Sequence, residues 1–141
     1  MGQDVPAVAL RDGNLIPQLG FGTWQISAAD CPSVLGEAIR LGYRSFDTAQ
    51  AYRNEEGIGR AIRESGRPRS EFFITSKLRN ATQTRDLALR SFDESMKKLG
   101  IDQIDLFLIH WPVPAQDKYV EAWKTLIELQ QQGHIRSIGV S

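Results

Sequence analysis

Cys31 has no partner. It is the one cysteine in 141 residues, so no disulfide framework braces this fold and no thiolate cluster holds a metal. Histidine is almost as scarce, with His110 and His134 alone. That supply is poor for a metal centre built from clustered histidines and carboxylates. No apolar run approaches the roughly 20 residues that a membrane-spanning helix needs. There is no excess of either charge, since 17 Lys plus Arg stand against 17 Asp plus Glu. That balance argues against a nucleic-acid or anionic-membrane partner. The first residues, Met1-Gly2-Gln3-Asp4-Val5-Pro6, lack the basic and apolar stretches of a signal peptide. Low-complexity and linker-like segments are missing too. These absences predict a reduced, cytoplasmic, soluble protein. With 41% apolar residues, the chain has enough material for the core of one domain.

The pattern along the chain is one of alternation. Apolar residues on either side of Arg11-Asp12-Gly13-Asn14 predict a β-hairpin over residues 7–17. A short strand is expected at 19–22. A helix is expected at 30–41, with Val34, Leu35, Ala38, Ile39 and Leu41 at helical spacing. The same unit then recurs: strand 45–47 with helix 54–65, strand 72–76 with helix 84–99, and strand 106–110 with helix 117–132. A fifth strand at 137–140 follows. Gly42, Gly66, Gly100 and Gly133 close the four helices, where glycine enters the left-handed region without strain.

Strand–helix alternation implies right-handed crossovers and a parallel sheet. An open doubly wound sheet and a (β/α)8 barrel both fit. The first strand's turn reads Gly20-Phe21-Gly22-Thr23-Trp24-Gln25, without the third glycine of a dinucleotide-binding fingerprint. The hairpin suits a plug over a barrel's floor. The reading is therefore α/β: a (β/α)8 TIM barrel with an N-terminal hairpin, present through its fifth strand.

Three polar residues end apolar runs: Asp47, Lys77 and His110; Tyr52 lies five residues past the first. In parallel α/β folds the carboxyl ends of strands converge on the face where chemistry is done. There a carboxylate, a phenol, an ammonium and an imidazole form a proton-transfer set. Tyr52 is the candidate proton donor. A general acid works best with a pKa near the operating pH, and a nearby ammonium moves a phenol that way, so Lys77 is its natural tuner. Asp47 can pair with Lys77, and His110 can donate a hydrogen bond to a substrate oxygen. Singly, each has a blander role: a turn cap, a half-buried aromatic, a solvated lysine, a satisfied core histidine. Together and in this order they favour catalysis.

The residues that carry this set resemble the aldo-keto reductase family. Gly42-Tyr43-Arg44-Ser45-Phe46-Asp47-Thr48-Ala49, then Tyr52, then Asn54-Glu55-Glu56-Gly57-Ile58-Gly59, is similar to the family's first signature. Ile74-Thr75-Ser76-Lys77-Leu78 resembles its lysine strand, and Asp105 through Pro112 its histidine strand. Gly133 through Ser141 resembles the segment that in the family continues into Asn. The short loop Pro114-Ala115-Gln116-Asp117 is most similar to bacterial members of the 2,5-diketo-D-gluconate reductase type.

The resemblance implies an NADPH-dependent reductase of aldehydes, ketones or keto sugars, monomeric, with a small carbonyl compound as its partner. It implies Asp47, Tyr52, Lys77 and His110 as catalytic residues. Gly22, Thr23, Asp47 and Ser141 would meet the cofactor, with Ser141 bonding the nicotinamide carboxamide. Trp24, Tyr52, His110 and Trp111 would wall the substrate pocket. No metal is expected. Family members run to about twice this length, so residues 1–141 are expected to be the amino-terminal half of a barrel in a longer polypeptide. The 2′-phosphate grip of NADPH and further substrate loops would then lie beyond Ser141, and the half alone is expected to be inactive. The rival classes are a non-catalytic reductase-like scaffold and a metal-dependent barrel enzyme. Cys31, His134 and Trp123 are read as packing or surface residues, and Arg60, Arg63, Arg67 and Arg69 as a solvated basic face.

Overall fold

A computed structural model describes residues 5–141. Strands β1 (Ala7–Ala9) and β2 (Leu15–Pro17) form the antiparallel hairpin. Its loop closes with Gly13 at φ +86°, the Gly13 amide donating to Leu10 O at 2.9 Å and the Leu10 amide to Asn14 O at 2.8 Å. Five parallel strands follow in sequence order: β3 (Phe21–Gly22), β4 (Ser45–Asp47), β5 (Phe73–Leu78), β6 (Ile104–Ile109) and β7 (Ile135–Val140). Four helices connect them: α1 (Cys31–Arg40), α2 (Glu55–Glu64), α3 (Arg85–Leu99) and α4 (Tyr119–Gln131). All four end at a glycine with positive φ: Gly42, Gly66, Gly100 and Gly133. None of the described helices is long and apolar enough to cross a membrane.

The register assigns each side chain to a face. Asp47 pairs with Thr75, Thr75 with Leu106 and Lys77 with Leu108. Side chains alternate along a strand, so Asp47, Lys77, Leu106 and Leu108 share one face. Phe46, Ile74, Ser76 and Phe107 belong to the other, which the helices cover. There Phe92 of α3 meets Phe107 edge to face at 5.1 Å. Phe46, Ile58, Ile74, Leu78, Phe92 and Leu126 are buried in that layer. The hairpin sits at the amino end of β7: Asn14 Nδ2 donates to Ser137 Oγ at 2.9 Å and to Arg136 O at 3.3 Å.

Several expected boundaries move. β5 runs on to Leu78, so Lys77 lies within a strand, on the face opposite the helices, instead of ending the run. β6 begins at Ile104, because Asp105 is not a polar flank: it is buried within the strand. Its Oδ2 accepts the Ile74 amide at 2.8 Å and Arg69 Nη2 at 2.6 Å, and Arg136 stands 3.3 Å from Oδ1. Arg69 therefore braces the floor of the sheet and is not part of a solvated basic face. Arg63 likewise turns inward to donate to Leu99 O, while Arg60 and Arg67 pair with Glu64 and Glu71 on the surface. The buried stripe of α1 is Cys31, Leu35, Ala38 and Ile39; Val34 and Leu41 fall off it and are exposed. Cys31 is fully buried in that stripe, and burial raises its thiol pKa, both marks of an inert packing residue.

Candidate active site

The site stands at the carboxyl ends of β4, β5 and β6. Lys77 is almost wholly buried, with its side chain 7% exposed, while that of Asp47 is 44% exposed. Lys77 Nζ donates to Asp47 Oδ1 at 2.5 Å and to Thr48 O at 3.0 Å. An ammonium has three protons; two are held here. Nζ also stands 5.1 Å from the centre of the Tyr52 ring, within cation–π range. Tyr52 in turn meets His110 edge to face, with ring centres 5.8 Å apart. All four residues singled out in the sequence are therefore gathered in one cluster.

Each is positioned by its element. Asp47 ends β4, and its carbonyl accepts both the amide (3.0 Å) and the hydroxyl (2.9 Å) of Thr23. Tyr52 rides a short 3-10 turn, Gln50–Tyr52, closed by Arg53 at φ +57°. Gln50 staples that turn down: Nε2 donates to Ser91 O and Ser95 Oγ on α3, and Oε1 accepts the Arg79 amide just past β5. His110 is one residue beyond β6, its amide donating to Leu78 O at 3.1 Å. Burial pulls the imidazole's pKa below its usual value, Lys77 pulls the same way, and Asp47 opposes. A neutral imidazole can donate one N–H while keeping the other nitrogen as an acceptor.

The surrounding residues divide. Trp24 and Trp111 are 67% and 65% exposed, so two indoles stand open at this end of the sheet. Ser141 follows β7 and is exposed, its amide donating to Ile109 O at 2.8 Å. A Cβ built on Gly22 would meet nothing within 4 Å, which leaves clear space over the backbone at the end of β3. Thr23 is fully buried, with its hydroxyl donating to Asp47 O at 2.9 Å.

The sequence reading passed over Gln50, Asn54 and Glu55, all behind the four. No periodicity marks them; a Gln, Asn and Glu around a turn read as solvated. Among the described residues no group of three or more His, Cys, Asp or Glu is arranged to hold a metal. A cleft of about 660 Å³ lies at the opposite end of the strands around Pro17, Arg69 and Arg136 and touches none of the four.

Comparison with known proteins identifies the family and the fold. The model of the Aldo/keto reductase family matches residues 18–141. Methylglyoxal reductase DkgA of Escherichia coli O157:H7 is 53% identical over 133 residues, covering 94% of this chain and 48% of that protein. The crystal structure of an aldo/keto reductase from Brucella melitensis superposes with a TM-score of 0.95 at 51% identity, over 99% of this chain and 53% of that one. A mutant of Gox0644 in complex with NADPH gives 0.91 at 43% identity, over 98% and 49%. The chain thus spans about half the length of the relatives it matches, and its five parallel strands with their hairpin correspond to half of their (β/α)8 barrel.

Proposed function

The chain belongs to the aldo/keto reductase family, and from that premise we propose that a barrel carrying these residues reduces aldehydes, ketones or keto sugars to alcohols with NADPH. The observation that carries the reading is the single cluster of Asp47, Lys77, Tyr52 and His110 at the carboxyl ends of β4 to β6. The open backbone at Gly22, the exposed carboxylate edge of Asp47 and the exposed Ser141 offer the surfaces on which a nicotinamide cofactor would be held. When bound, that cofactor supplies the hydride.

The chain's own residues supply the proton and the orientation. His110, held neutral by burial and by Lys77, donates an N–H to the carbonyl oxygen and fixes its direction. Tyr52 delivers its hydroxyl proton to the same oxygen as charge builds there. Lys77 is held over the face of the Tyr52 ring by Asp47 and Thr48 O, where its positive charge favours the phenolate. Trp24 and Trp111 form apolar walls against which the substrate's carbon skeleton lies and from which water is displaced. The similarity to the methylglyoxal reductase DkgA and the sequence resemblance to 2,5-diketo-D-gluconate reductases support small dicarbonyl and keto-sugar substrates.

The reaction is assigned to the closed barrel that these residues half build. Among the described residues β3 and β7 are the two edges of the sheet, and residues 1–141 alone are expected to be inactive. The test is NADPH consumption with methylglyoxal and with 2,5-diketo-D-gluconate, monitored at 340 nm. Turnover of either that vanishes in Tyr52→Phe supports the reading. A folded closed-barrel protein that neither binds NADPH nor turns over any carbonyl compound overturns it.

A further inference from the structure

Asn54 stands where a helix cap is expected, at the residue before α2, yet its side chain makes no capping bond to that helix. The amide is 1% exposed and turns the other way. Its Oδ1 accepts the Thr48 hydroxyl at 2.5 Å, and its Nδ2 donates to Thr23 O at 2.8 Å and to Ile26 O at 3.0 Å. Three of the side chain's polar valences are thus used on two separate loops. One is the loop after β3, which carries Trp24. The other is the Thr48 segment, whose carbonyl accepts from Lys77 Nζ.

We propose that Asn54 is a positioning residue: it fixes Thr48 O, and through it the Lys77 ammonium, relative to Tyr52. The proposal builds on the reductase reading above but rests on its own geometry. Thr48 is held on two sides, its amide donating to Thr75 O at 2.8 Å and its hydroxyl to Asn54. Nothing else in the described residues bonds that hydroxyl. α2 cannot drift to relax the link, since a Cβ at Gly57 would come within 2.4 Å of Ala28 O and one at Gly59 within 2.2 Å of Leu99 O. The helix start is seated against backbone on both sides, and it carries Asn54 as a fixed point. An aspartate there would keep the acceptor for Thr48 but set an oxygen against two carbonyl oxygens, so the amide is required for its donors as well.

The experiment uses the closed-barrel protein and four variants: Asn54→Ala, Asn54→Asp, Thr48→Val and Thr48→Ser. Thr48→Val removes the hydroxyl yet keeps the carbonyl that Lys77 uses, and it stays informative if the Asn54 variants fold poorly. Two readouts are taken on protein whose fold is checked by near-UV circular dichroism. The first is kcat and KM for carbonyl reduction across pH. The second is the NMR titration of the His110 imidazole, which senses the distance of Lys77 without any turnover and is told from His134 by a His110→Gln control. Expected are a fall in kcat of about 10- to 100-fold, as for a reacting group misplaced by an ångström or less, and an upward move of the His110 titration in Asn54→Ala, Asn54→Asp and Thr48→Val. Thr48→Ser is expected to restore both. A kcat within twofold of wild type together with an unmoved titration in folded Thr48→Val overturns the inference. If the titration moves while the wild type shows no reduction, the positioning stands and the reductase reading falls.

Discussion

Lys77 and Asp47 form an unequal pair: the ammonium is nearly sealed from water, and the carboxylate that meets it at 2.5 Å is close to half open. The two partners are therefore not interchangeable as targets. Asp47→Ala leaves a buried cation with Thr48 O as its remaining partner. The cost should lie toward or below the lower end of the roughly 3–5 kcal/mol seen when one partner of a buried pair is lost, since water reaches the vacated position. Lys77→Met leaves a carboxylate that water can solvate and fills the buried slot with an apolar chain, so its stability change should stay within about 1 kcal/mol. Chemical denaturation of the two variants measures the difference; equal costs would contradict the asymmetry.

The same lysine acts on His110. Burial is the main reason the imidazole's pKa lies low, and Lys77 is the second, with Asp47 opposing. Lys77→Met removes a lowering influence and leaves the raising one, so His110 should titrate at higher pH than in wild type. NMR of the imidazole protons checks this, and a downward or absent shift would remove Lys77 from the electrostatics of the site.

Tyr52→Phe is a cleaner probe than its name suggests. The ring that meets His110 at 5.8 Å and Lys77 at 5.1 Å is kept, and the hydroxyl alone is lost. The fold and NADPH affinity should be unchanged while kcat falls by about 100- to 10,000-fold, the range for a general acid. Turnover within a few-fold of wild type would take the proton-donor role away from Tyr52.

Much of this molecule could be read before any coordinates. Four glycines punctuate four helices, and short apolar runs mark the strands, because both signals are local. Three polar residues of the site, Asp47, Lys77 and His110, were visible for the same reason, standing at or near the ends of those runs, and Tyr52 followed five residues past the first. What escaped was non-local. Asp105 looks like a flank in the chain, yet it is buried because Arg69, Arg136 and the Ile74 amide come to it from other strands and loops. The Thr23 hydroxyl goes to the carbonyl of Asp47, 24 residues on. Asn54 reads only as the first residue of the helix expected over 54–65, yet its donors go to residues 28 and 31 positions away. Hydrogen bonds across such separations leave no periodicity for a sequence to display.

Trp111 separates substrate from cofactor. Its indole is largely exposed beside His110, and its carbonyl is fixed by Gln83 Nε2 at 2.6 Å, so the backbone is anchored while the ring is free to meet a ligand. Trp111→Ala should lower kcat/KM for bulky carbonyl substrates by about tenfold, equivalent to about 1.4 kcal/mol, and should leave the NADPH Kd within twofold. A sharp rise in that Kd with unchanged substrate preference would assign the indole to the cofactor's wall.

Glu55 gives the protein a pH dependence that lies outside its reaction. The carboxyl is buried between α2 and β5, where Ser76 Oγ donates to it at 2.5 Å. Burial raises its pKa above the ordinary 4.5, and hydrogen bonds from Ser76 and Ser95, with Lys98 and Arg79, pull partly back. The sign follows from proton counting. As pH rises past 4.5, the unfolded chain loses this proton while the folded protein keeps it. The folded state then binds more protons, so this group's contribution to stability is full below 4.5 and is lost as pH rises through the raised folded value. Glu55→Gln cannot ionise, still accepts from Ser76, and can donate its amide to the Ser95 hydroxyl. The variant should match wild type most closely in acid and gain on it steadily toward neutral pH, levelling once the folded carboxyl has ionised. Urea denaturation of both proteins at a series of pH values measures that widening gap. A gap that stays constant with pH would mean that Glu55 ionises in the fold as it does in water, and one that narrows as pH rises would mean that the fold favours its ionised form; either contradicts the burial argument.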